Sequence, residues 1–145
     1  MVVHEIINKT DVMDKLKKYA GKRNPTIFIL DRTVDETHNM EMHEYSQMYS
    51  REEILSILKG QCQVEFIEVN WKSKRAQQAL KIYESKQYVN KDGIPLSKTD
   101  AILLVWALDN SWVLITRDMT LVKASREEGR KANKTIRVFN PFVSA

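Results

Sequence analysis

Two aspartates set the chemical question: Asp100 in LSKTDAILL and Asp118 in LITRD. The first falls in the opening turn of a predicted helix, the second just past the end of a predicted strand. In an α/β fold both carboxylates can reach one crevice at the carboxyl edge of the sheet. Two acids converging there suggest a divalent-cation site, because hard cations take oxygen ligands, and with it phosphate chemistry. Each acid also has a purely structural reading. Ser97 and Asp100 have the spacing of a capping box, and the helix dipole favours an acid in a first turn whether or not it binds anything. Asp118 has the chemistry of an N-cap for the helix after it.

The elements that would position these acids alternate along the chain, which predicts an α/β fold. Residues 2–7, VVHEII, read as a short strand. Thr10 or Asp11 caps an amphipathic helix to about Tyr19, closed by Gly21. TIFIL, 26–30, is apolar at nearly every position, as buried parallel strands are. Residues 32–47 read as a weak helix. Ser50 and Glu53 form a capping box for helix 51–59, which Gly60 ends. Strand 63–69 is followed by helix 71–87, with an apolar stripe at Ala76, Ala79, Leu80, Ile82 and Tyr83 and lysines on the outer face. KDGIP, 91–95, is a turn. Helix 98–109 is apolar nearly all round and should be the central buried one, with Trp106 in the core. Strand 112–116, helix 119–133 and strand 135–139 complete the pattern.

Bulk properties bound the answer. The chain has 145 residues, which predicts a single domain, 1–145, with a substantial core. The longest apolar run, 101–108, is too short to cross a bilayer, and the opening residues do not read as a signal peptide. The single cysteine, Cys62, has no internal disulfide partner and reads as a small residue beside a strand. The expectation is a cytoplasmic protein without a membrane partner. Net charge is +4 and the pI about 9.1, modest support for a polyanionic partner. The cations gather at Lys15, Lys17, Lys18, Lys22 and Arg23, at Lys72, Lys74 and Arg75, and from Lys123 to Lys134. With four glycines in the chain there is no P-loop or Gly-rich dinucleotide loop. His4, His38 and His43 read as surface residues.

A third acid, Glu36 in TVDET (33–37), follows strand 26–30. The order of strand, acid near a helix start, a second helix-start acid at 100 and a strand-end acid at 118 resembles the PIN domain family of metal-dependent ribonucleases. TVDET is similar to the family segment whose Glu is a metal ligand. LSKTDAILL is similar to its L-S-x-x-D-A stretch, and LITRD to its strand-to-Thr-x-Asp ending. The resemblance runs from about residue 25 to the end. It implies a three-layer α/β/α sandwich with a mostly parallel central sheet. It also implies Mg²⁺ or Mn²⁺ held by Glu36, Asp100 and Asp118, with Thr116 orienting water or a ligand. Arg117, Lys123 and Lys131 would attract the RNA backbone. The expected activity is endonucleolytic cleavage of single-stranded RNA, as in family toxins that pair with an antitoxin and often form homodimers.

One departure matters. The family opens with an apolar strand ending directly in Asp, whereas VVHEIINKTDVMD offers Glu5, Asn8 and Asp11 as competitors for that place. Asp31, in FILDRTV, is a second-ranked alternative, because that register leaves too few residues before strand 63–69. A chain lacking the first acid is also readable as a PIN-like module that binds RNA or a protein partner without cutting. A receiver-like phosphoryl site would use Asp31, but no matching lysine follows a late strand.

Overall fold

The computed structural model describes residues 10–21, 24–30, 51–116 and 118–140. The expected strand 2–7, the weak helix 32–47 and the three histidines lie outside the described residues, as do Glu36, Arg117, Glu5, Asn8 and Asp31. The chain is mixed α/β, with five helices among the described residues and two pairs of parallel strands. Its contacts divide it into two compact units, residues 1–69 with 141–145, and residues 70–140.

In the first unit, helix α1 is Thr10–Ala20, strand β1 Thr26–Leu30, helix α2 Arg51–Leu58 and strand β2 Gln63–Ile67. α1 buries Val12, Met13 and Leu16, the one-sided spacing that an amphipathic helix needs. Gly21 ends it at φ +66°, a left-handed turn that glycine enters without a steric penalty. β1 and β2 pair in parallel, Thr26 opposite Gln63 through to Leu30 opposite Ile67. Ile27, Ile29 and Leu30 are buried, as the apolar run of TIFIL predicts. α2 buries Ile54 and Leu58 on one face. Cys62, on the approach to β2, is buried, and burial raises its thiol pKa above the ordinary value while nearby Lys17 partly offsets the rise.

The second unit contains helix α3 (Lys74–Ser85), helix α4 (Lys98–Asn110), strand β3 (Leu114–Ile115), helix α5 (Met119–Lys131) and strand β4 (Val138–Phe139). α3 starts later than the expected helix 71–87. Asn70 accepts from the Lys72 amide at 3.0 Å, and the Ser73 hydroxyl caps the helix by accepting from the Ala76 amide at 3.2 Å. Side chains of Asn and Ser thus hold in a turn the residues that periodicity alone would give to the helix.

α4 is the core helix. Ala101, Ile102, Leu104, Val105, Trp106, Ala107 and Leu108 are all buried. Its length and all-round apolarity match the expectation. It runs antiparallel to α3: Arg75, early in α3, pairs with Asp109, late in α4, at 2.9 Å, while Lys98 at the start of α4 approaches Tyr83 near the end of α3. β3 and β4 pair in parallel, Leu114 opposite Val138 and Ile115 opposite Phe139. They are joined through α5, giving a βαβ unit. The loop between α3 and α4 is tied by a bridge of Val89 to Pro95. It is anchored to α5 where the Tyr88 hydroxyl donates to the Glu128 carboxylate.

Candidate functional site

Asp100 and Asp118 both belong to the second unit. The N-cap of α4 is Ser97, in extended backbone, whose hydroxyl accepts from the Asp100 amide at 3.1 Å. Asp100 is thereby fixed in the first turn and is half-buried. The Ser97 half of the expected capping box is present.

Asp118 sits where a strand becomes a helix. The pairing of β3 runs on to Thr116, whose amide donates to the Phe139 carbonyl at 3.1 Å. Thr116 is buried, and its Oγ1 accepts from the Asp118 amide at 3.0 Å. Asp118 in turn caps α5, its Oδ1 accepting from the Thr120 amide at 2.8 Å. The threonine fixes the aspartate's backbone, and the aspartate starts the helix. A carboxylate has acceptor sites on both oxygens, so capping through Oδ1 is compatible with a ligand on Oδ2. Asp118 is exposed.

α4 packs against β3 and also against α5, so the two elements carrying the acids are in contact with each other's supports. Glu36 lies outside the described residues, and so does Arg117. Among the described residues no group of three His, Cys, Asp or Glu side chains gathers as a metal cluster. The donors present, two aspartate carboxylates and a threonine hydroxyl, are hard oxygen ligands of the kind Mg²⁺ and Mn²⁺ take. Lys123 is exposed on α5. Lys131 pairs with Glu128 at 3.1 Å, so part of its charge is already answered within the helix.

Sequence spacing did not reveal a second arrangement in this unit. The Lys98 ammonium lies 5.8 Å from the centroid of the Trp71 ring and 5.3 Å from that of Tyr83. All three residues are half-buried. Such cation–π contacts contribute about 0.5–1 kcal/mol each at exposed sites. The signal available in the sequence was a tryptophan directly before a lysine-rich helix start, WKSKR, and only the antiparallel α3–α4 packing brings Lys98 to it. Trp106, by contrast, is buried with Arg75 over its ring at 5.7 Å, as expected for a core residue.

No helix among the described residues is long and apolar enough to cross a membrane. Comparison with family models, with curated proteins and with solved structures finds no match to this chain.

Proposed function

We propose that this chain is a divalent-metal-dependent endoribonuclease of the PIN type acting on single-stranded RNA, with Glu36, Asp100 and Asp118 as metal ligands. The observation that carries the reading is the joint at the end of β3, where buried Thr116 fixes Asp118 at the start of α5 while α4, with Asp100 in its first turn, packs on β3. On this reading the fold is a three-layer α/β/α sandwich with a mostly parallel central sheet.

Bound at these carboxylates, Mg²⁺ or Mn²⁺ supplies an acidified water and steadies charge on the leaving oxygen. The Thr116 hydroxyl accepts from the Asp118 amide and retains its own proton to donate to a water or ligand. Arg117, Lys123 and Lys131 attract the RNA backbone. By the same resemblance the protein is a toxin, restrained by an antitoxin and paired as a homodimer.

The test is cleavage of a labelled single-stranded RNA, and melting temperature, for wild type and Asp100→Asn with EDTA and with millimolar Mn²⁺. Wild type should cut only with metal. It should also melt higher with Mn²⁺, because clustered carboxylates repel until a cation binds them in the folded state. Asp100→Asn should lose both effects, and metal-dependent cleavage that survived the substitution would overturn the site assignment. A second reading, a PIN-like module that binds RNA or a protein without cutting, is favoured by one observation: no Asp directly follows VVHEII. A wild-type protein with no Mn²⁺-dependent rise in melting temperature would select it.

A further inference from the structure

We propose that Trp71, Tyr83 and Lys98 form a docking platform that stacks the bases of a single-stranded polynucleotide beside the Asp100 end of α4; for its substrate class the proposal rests on the ribonuclease reading. Three observations meet at this place. Two half-buried aromatic rings flank one ammonium, at 5.8 and 5.3 Å. The segment 71–83 carries Lys72, Lys74, Arg75 and Lys81 and no acidic residue, and the three lysines are exposed. Lys74 in the first turn of α3 is exposed, and Lys98 in that of α4 stands two residues before Asp100, both where the helix dipole favours acids over cations. Helix stability alone therefore does not account for the charge, and its sign fits phosphates.

Aromatic faces with cations around them bind unpaired bases, since every base has a π-face and every phosphate a negative charge. A duplex hides its bases from such a surface. Lys98 and Asp100 share the first turn of α4 on different faces, so a strand held at Trp71 or Tyr83 lies at the same end of that helix as Asp100. Arg75 is engaged by Asp109 and holds α3 on α4, while Lys72, Lys74 and Lys81 supply the outer field.

The experiment is fluorescence anisotropy of a labelled twelve-nucleotide mixed-sequence strand, as RNA, as DNA and as duplex RNA, in EDTA so that no cutting occurs. Trp71→Leu and Tyr83→Leu should each weaken single-strand binding about tenfold, with Trp71→Phe holding near wild type. Lys98→Met keeps the stem and should lower the slope of log affinity against log salt by about 0.7. Circular dichroism identifies any variant that fails to fold, and Lys98→Met, at a half-exposed position, still tests the platform then. Single-strand binding unchanged in Trp71→Leu and Lys98→Met would overturn it, as would duplex RNA bound as tightly as single strands or no single-strand binding by wild type. Failure of the nuclease reading looks different: Trp71-dependent binding would persist in a wild-type protein that never cuts with Mn²⁺. Cleavage by Trp71→Leu with unchanged KM would sink the platform and leave the nuclease standing.

Discussion

Asp118 has one observed role, capping α5, and one proposed role, holding a cation, and a well-chosen substitution separates them. Its Oδ1 caps α5, so Asp118→Ala should lower stability by about 0.5–2 kcal/mol, the usual loss for a removed N-cap. Asn also caps well, and Asp118→Asn should remain within a few tenths of a kcal/mol of wild type while removing the charge a cation needs. Urea unfolding followed by far-ultraviolet circular dichroism checks both values. An Asn variant as unstable as the Ala variant would mean that charge, not the cap, holds this turn. The placement of both acids at helix starts was legible because Ser97 and Asp118 announce those starts by residue type alone. Trp71, Tyr83 and Lys98 were not, because their proximity arises from helix packing and no local spacing encodes it.

Elements were read most accurately where a side chain or glycine fixes the boundary. Ser97 starts α4, and Gly21 and Gly60 turn the chain after α1 and α2 at positive φ. The strand expected at 112–116 narrows to Leu114–Ile115, paired with Val138 and Phe139, with the Thr116 amide adding one more bond to the Phe139 carbonyl. Helix 119–133 ends at Lys131 for a reason periodicity cannot supply. The chain turns back at Asn133, with φ +54°, and the Lys134 amide donates to the Gly129 carbonyl at 2.8 Å. A Cβ on Gly129 would stand 2.7 Å from the Lys134 carbonyl oxygen, a backbone atom with little freedom to move. Gly129→Ala should therefore destabilise the protein by about 1–3 kcal/mol, as overpacking does, although Ala is the better helix former by about 1 kcal/mol. Thermal unfolding decides the sign, and a gain would show that the α5–β4 turn adjusts freely.

For the molecule as a whole, the alternation of elements and the net charge were legible, and mixed α/β architecture with parallel pairing followed from buried apolar strands. The division into two compact units was not, since it depends on which contacts close and no linker composition marks Val69 or Asn70. Global stability should also carry an alkaline signature. Burial, then the hydrogen bond and negative charge of Glu128, raise the Tyr88 pKa well above its ordinary value near 10. The neutral phenol is the form the fold favours. Its contribution is complete below the unfolded-state pKa and declines as pH climbs from about 10 toward the raised folded value. Tyr88→Phe should flatten that decline relative to wild type when denaturant midpoints are compared between pH 9 and 11. Parallel curves would remove Tyr88 as its source.

The placement of two rare residue types has a practical consequence. The sole thiol, Cys62, is buried in the first unit, whereas all three indoles, Trp71, Trp106 and Trp112, fall in the second. The native chain thus holds two orthogonal reporters without any introduced label. Thiol alkylation rates time the opening of residues around β2, and intrinsic fluorescence follows the α3–α4 core. Where the two signals share one midpoint, the halves unfold as a single cooperative body. Where they separate, each half has its own stability, and the acids at 100 and 118 belong to the one that fluoresces.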